Sequence, residues 1–222
     1  MQSPDLWTPI RAFCRPPGRI LYTTPHRRSS VVIVLAPPKD VTNPQLEDLL
    51  VYFEKRAAHI PQGGEVCLPG GGIEKGESSE AAALREWQEE TGIPSSQIEM
   101  VGCFGTLVHF SSRVIDVWIA KGPDPRTVRS APNEEVDILF TSSLRDLMES
   151  RWESFALEFA LRSTESFPIP SSSGARPAQH VPVWFVHGLP DLLWGMTAGI
   201  MLQFLHEVFG RYPGKMELKK EI

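Results

Sequence analysis

Apolar and polar positions along the chain predict short strands and two well-marked helices, separated by glycine- and proline-rich breaks. Residues 30–36 (SVVIVLA) are a continuous β-branched run, the pattern of a buried strand. A loop over 38–46 leads to a second strand within 48–55, centred on Leu49-Leu50-Val51-Tyr52-Phe53. Gly63-Gly64, a short strand at 65–68 and Pro69-Gly70-Gly71-Gly72 follow, and so many glycines let the backbone turn sharply and approach a ligand closely. A helix starts at Ser78 or Ser79, either of which can cap it, and stops at Gly92 with Pro94 just beyond. Ala83, Leu84 and Trp87 supply its apolar face. Further on, the pattern predicts strands at 99–109, 113–120 and 136–140, and helices at 142–150 and 152–162. A long polar loop over 168–180, a strand at 181–186 and an amphipathic helix at 196–209 complete the reading. There is no internal repeat.

Composition changes this picture little. At 222 residues, with 41% hydrophobic and 22% charged positions, the chain reads as an ordinary globular protein with one domain over 30–210. A Pro/Arg-rich arm (1–29) precedes that domain and a polar tail (211–222) follows it. The net charge of -5 excludes a nucleic-acid binder that relies on a broad basic surface, while leaving room for an anionic small molecule held by a metal and local cations. Cys14, Cys67 and Cys103 fit neither a zinc pattern nor a disulfide framework, which places the chain in a reducing intracellular compartment, cytoplasmic by default. No apolar run approaches the roughly 18 residues of a membrane span. Arginines in the first 30 residues, with Asp5 the single acid, faintly resemble a mitochondrial presequence, but Pro4, Pro9, Pro16, Pro17 and Pro25 oppose a targeting helix there.

The chemistry is concentrated in residues 71–93, GGIEKGESSEAAALREWQEETGI. Glu86, Glu89 and Glu90 fall within one helical turn, where like charges repel by a few tenths of a kcal/mol per pair. A hard divalent cation reverses that sign, because Mg²⁺ and its relatives take oxygen ligands from clustered carboxylates. A solvated acidic face is the plainer reading of such a charge run. It loses here to the fixed offsets that join the cluster to Gly71, Glu77 and Arg85.

This stretch resembles the Nudix box, Gly-x5-Glu-x7-Arg-Glu-U-x-Glu-Glu-x-Gly-U with U a bulky apolar residue, at all its constrained positions. The resemblance implies an α+β fold, a mixed sheet sandwiched between helices, and hydrolysis of a nucleoside diphosphate linked to another moiety with Mg²⁺ or Mn²⁺ and a water nucleophile. Carried over by position, Glu86, Glu89 and Glu90 are metal-binding carboxylates, and the Gly71 carbonyl is a further ligand. Arg85 pairs with Glu77 and braces the loop against the helix, against the alternative of a plain surface ion pair. A later loop often supplies a general base or extra ligand in this family. Glu135, in Asn133-Glu134-Glu135-Val136, is the candidate, with an exposed acidic turn as the alternative and Glu89 itself as another base.

Two flanking segments narrow the resemblance. Lys55-Arg56-Ala57, followed by Gly64-Glu65-Val66-Cys67-Leu68-Pro69-Gly70-Gly71, looks like the coenzyme A diphosphatase signature. Leu193-Trp194-Gly195-Met196-Thr197-Ala198 resembles a run of the same subfamily, although its apolar residues also read as core packing. Tyr52-Phe53-Glu54 departs from that signature, as do Pro61 in place of a second arginine and Leu68 in place of an aromatic. The resemblance implies a small-molecule nucleotide substrate, CoA or acyl-CoA, bound by Arg56 and by Gly70, Gly71 and Gly72. A homodimer is an assembly common in the family. Another nucleotide substrate and a non-catalytic binding module are the alternatives.

Overall fold

The computed structural model describes residues 5–15, 17, 27–109, 111–159 and 179–218. In chain order the elements are α1 (Trp7–Arg11), β1 (Arg27–Ala36), β2 (Leu50–Arg56), β3 (Val66–Cys67), β4 (Gly70–Gly72), α2 (Ser79–Thr91), β5 (Glu99–His109), β6 (Arg113–Lys121) and β7 (Val136–Ser143). They continue with α3 (Leu144–Glu149), β8 (Arg151–Phe159), β9 (Gln179–His187), β10 (Leu193–Trp194), α4 (Gly195–Phe209) and β11 (Lys215–Leu218).

The first seven strands form one mixed sheet in the order β3-β2-β1-β6-β5, with β4 beside β1 and β7 beside β2. β1 runs parallel to β6, and the other pairings are antiparallel. Alternation sorts the strand residues onto two buried faces. Val32, Val34, Ala36, Tyr52, Trp118 and Ala120 face α2 and pack with Ala83 and Trp87. Ile33, Leu35, Val51, Phe53, Val117 and Ile119 face α3, α4 and Ile10 of α1. A strand covered on both faces needs apolar residues at every position, which is why residues 31–36 form an unbroken run.

The helix over the box matches its sequence signals. The Ser78 side chain accepts from Ala81 N–H, and Gly92 closes the helix with φ 68°. Its buried residues are Ala82, Ala83, Trp87, Glu90 and Thr91, so Ala82 takes the place expected for Leu84, which is half-buried. Trp87 meets Tyr52 edge to face at 5.1 Å.

Residues 151–159 correct the helix expected over 152–162. They form β8, which pairs with β9 and β11 in a second, four-stranded sheet. Helix propensity is weak against tertiary packing. Trp152 is fully buried and donates its indole N–H to Leu147 O, and the strand pairing satisfies the backbone. Most of the polar loop expected over 168–180 lies outside the described residues. Among the described residues no helix is long and apolar enough to cross a membrane.

Candidate functional site

The site forms where the glycine turn of β4 passes under α2. Gly70 has φ 151° and lies so close to β1 that a Cβ there would run into Ser30 O and Val31. A Cβ on Gly71 would overlap the Glu86 carboxylate. Only glycine lets this backbone approach the helix acids so closely. Gly72 is exposed beside them.

Arg85 organises the outer acids. Its Nε and Nη2 donate to the two oxygens of Glu77 at 3.0 and 3.2 Å, and its Nη1 donates to Glu86 at 2.9 Å and Glu89 at 3.1 Å. The fifth N–H goes to Gly72 O at 2.9 Å. All five guanidinium donors are therefore used. Glu77 also accepts from Glu74 N–H, so it pins both ends of the loop before the helix. The Arg85 guanidinium holds the Glu77 carboxyl below the usual carboxylate range and is itself raised by that partner. Glu86 is raised, by burial first, with Glu89 and Glu135 adding to it.

The three helix carboxylates do not share one environment. Glu89 is 53% exposed, whereas Glu90 is 4% exposed and turned inward to accept from Gly70 N–H at 2.7 Å. Beneath Glu90 lies Glu54 of β2, a buried acid that no motif in the sequence marks. Cys67 Sγ donates to Glu54 Oε1 at 3.2 Å, while Glu54 Oε2 is buried with no hydrogen-bond partner. Burial raises both Glu54 and Glu90, and burial together with the Glu54 charge raises the Cys67 thiol. Tyr52 marks the α2-facing side of β2, so period-2 alternation also points Glu54 at the helix, a signal available once that face is known.

Arg56 and Glu135 lie close enough for their charges to act on these acids. Arg56 donates from Nε to Pro61 O at 3.2 Å, and its charge acts on both Glu54 and Glu90. Glu135 is exposed, and its carbonyl accepts from Ala57 N–H at 2.8 Å, next to Arg56. The structure thus brings together Arg56, Gly70, Gly71, Gly72, Glu77, Arg85, Glu86, Glu89, Glu90 and Glu135, and adds Glu54.

Among the described residues, no three His, Cys, Asp or Glu side chains are already arranged as a metal-ligand group. Arg85 takes the outer carboxylates and Gly70 N–H takes Glu90. The donor set nevertheless fits a hard divalent cation. It consists of oxygen donors in charge surplus over Arg85, one of them a buried carboxylate oxygen without a partner.

The chain is similar to several known proteins. The NUDIX domain model matches residues 25–160. Nudix hydrolase 3 of Caenorhabditis elegans is 27% identical over 163 residues, covering 68% of this chain and 63% of that protein. The methanol dehydrogenase activator of Bacillus methanolicus is 31% identical over 91 residues, so the match spans 49% of its length and 39% of this chain. The Nudix hydrolase NudL of Escherichia coli is 28% identical over 188 residues, covering 84% of this chain and 85% of that protein. Among solved structures, a MutT/nudix family protein from Enterococcus faecalis aligns with a TM-score of 0.48 at 17% identity, over 87% of this chain and 64% of that chain.

Proposed function

Because the chain belongs to the NUDIX domain family, we propose that it hydrolyses the pyrophosphate bond of a nucleoside-diphosphate derivative, with CoA or acyl-CoA as substrate. The products are adenosine 3′,5′-bisphosphate and 4′-phosphopantetheine or its acyl derivative. The observation that carries the reaction class is the Arg85 hub, which gathers Glu77, Glu86 and Glu89 over the glycine turn while Glu90 points inward. The CoA-type substrate rests on the Arg56 and Trp194 segments described above.

Glu86, Glu89, Glu90 and the Gly71 carbonyl would hold Mg²⁺ or Mn²⁺, which when bound would supply Lewis acidity toward water and offset phosphate charge. The chain's own residues do the rest. Arg56 binds a phosphate oxygen of the substrate. The glycines of β4 keep side chains out of the way of the diphosphate. Arg85 fixes the rotamers of Glu77 and Glu86 so that the loop and helix present a constant geometry. Glu89, the exposed acid, accepts the proton of the attacking water, with Glu135 as the second candidate for that role.

The test is product analysis with Mn²⁺ and a panel of CoA, acetyl-CoA, ADP-ribose, NADH and diadenosine polyphosphates. The expected result is adenosine 3′,5′-bisphosphate from CoA well above any other product. Glu89→Gln is expected to lose at least about 10²-fold in kcat with an unchanged melting temperature. Near-wild-type turnover by that variant would remove Glu89 from the chemistry. Preference for another nucleotide would keep the reaction class and discard the CoA reading. No turnover of any substrate would favour a binding module.

A further inference from the structure

Glu54 and Glu90 come from opposite sides of the site, one on the sheet and one on the helix. Both are buried, and they face each other closely enough for the Glu54 charge to act on Glu90. Ionised carboxylates offer only acceptors, so such a contact needs a proton or a cation between them. Arg85 cannot supply the positive charge, since all five of its N–H groups are engaged by Glu77, Glu86, Glu89 and Gly72 O. Gly70 N–H is taken by Glu90. Cys67 satisfies one oxygen of Glu54, and the other is buried without a partner in a side chain only 1% exposed. An orphan acceptor so deep is costly, and nothing in the packing of β2 requires an acid there, since Tyr52 on the same face is part of an apolar cluster.

We propose that Glu54 belongs to the divalent-cation site, supplying from β2 a fourth carboxylate opposite Glu86, Glu89 and Glu90. This rests on the reading of those three as metal ligands and extends it to a residue outside the box. The arrangement closes the site from the sheet side. It lets a cation sit directly between Glu54 and Glu90, on which Arg56 acts while donating to Pro61 O, and Arg85 continues to serve Glu77.

The experiment is a Mn²⁺ titration of the full chain, reading free Mn²⁺ by electron paramagnetic resonance, with the Mn²⁺-induced rise in melting temperature as a parallel readout. Wild type is expected to bind Mn²⁺ and to be stabilised by it. Glu54→Gln keeps the side-chain shape, and it is expected to bind Mn²⁺ at least tenfold more weakly and to lose most of the thermal shift. Anomalous diffraction from Mn²⁺-soaked wild-type crystals should place the ion in contact with the Glu54 carboxylate, and this readout does not depend on the variant folding. Equal Mn²⁺ affinity in Glu54→Gln, or an ion held by α2 carboxylates alone, overturns the proposal while leaving the box reading intact, and the contact is then a shared proton. A wild type that binds no Mn²⁺ overturns both.

Discussion

Arg85 and Arg126 each gather carboxylates, and the two clusters differ in how completely the charge is matched. Arg126 is bracketed by Asp40 and Asp124. Asp124 is nearly inaccessible, and its oxygens accept from Lys39 N–H, Arg126 N–H and the Arg126 guanidinium. No acceptor there is left over. That cluster ties the loop after β6 to the turn after β1, and the hydroxyl of Tyr52 donates to Pro123 O beside it. Arg85, by contrast, faces Glu77, Glu86 and Glu89, and beneath them Glu54 keeps a buried oxygen without a hydrogen-bond partner. A satisfied cluster holds two segments together. A cluster in charge surplus, with a buried oxygen still open, is prepared to take something positive.

Arg85→Lys puts this contrast under the greatest strain. A single ammonium cannot bridge both oxygens of Glu77, Glu86, Glu89 and Gly72 O at once, so kcat is expected to fall about 10- to 100-fold. Steady-state kinetics on the preferred nucleotide would measure it, and activity within twofold of wild type would mean the fork is not organising the acids. Asp124→Asn should do the reverse, lowering stability by about 1 kcal/mol in urea unfolding while kcat stays unchanged. The figure is small because the Arg126 partner is half-exposed and its interactions are screened. A loss of turnover without a loss of stability would contradict a purely structural role.

The smallest effect is in the pH dependence. Arg126 beside Asp124 holds its carboxyl well below the usual carboxylate range. A pKa lowered on folding gives stability that is fully present above the unfolded value, about 3.9, and is lost as pH falls toward the folded one. The stability gap between wild type and Asp124→Asn should therefore be flat from pH 8 to about pH 5 and close below about pH 4. A gap that widens on acidification would contradict the pairing.

The outer part of the candidate site was legible because it is local. Glycine turn, Ser78 cap, Arg85 and the three glutamates lie within one loop and one helix, where spacing alone decides which side chains can meet. Glu54 was not legible, because its neighbours are Cys67 and Glu90 on other elements, and a lone acid in Val51-Tyr52-Phe53-Glu54 has no meaning until the helix over that face is known. The fold shows the same division. Strands β1, β5 and β6 followed from apolar runs, whereas residues 151–159 carry helix-forming residues and became a strand through Trp152 burial and pairing with β9 and β11. Trp7–Arg11 carries Pro9, yet forms a short helix whose Ile10 is fully buried against the α4 side of the sheet.

By itself the sequence determined the kind of chemistry, since residue type and helical period fix three carboxylates, an arginine and a glycine turn on one small surface. Only the tertiary structure decided that these carboxylates are unequal. Glu89 is half-exposed at the edge of the Arg85 fork, Glu77 and Glu86 are held more deeply by the same fork, and Glu90 is turned inward toward an acid from the sheet. Burial and the facing of like charges depend on how β2 packs under α2, and that arrangement is not encoded in the period of either element.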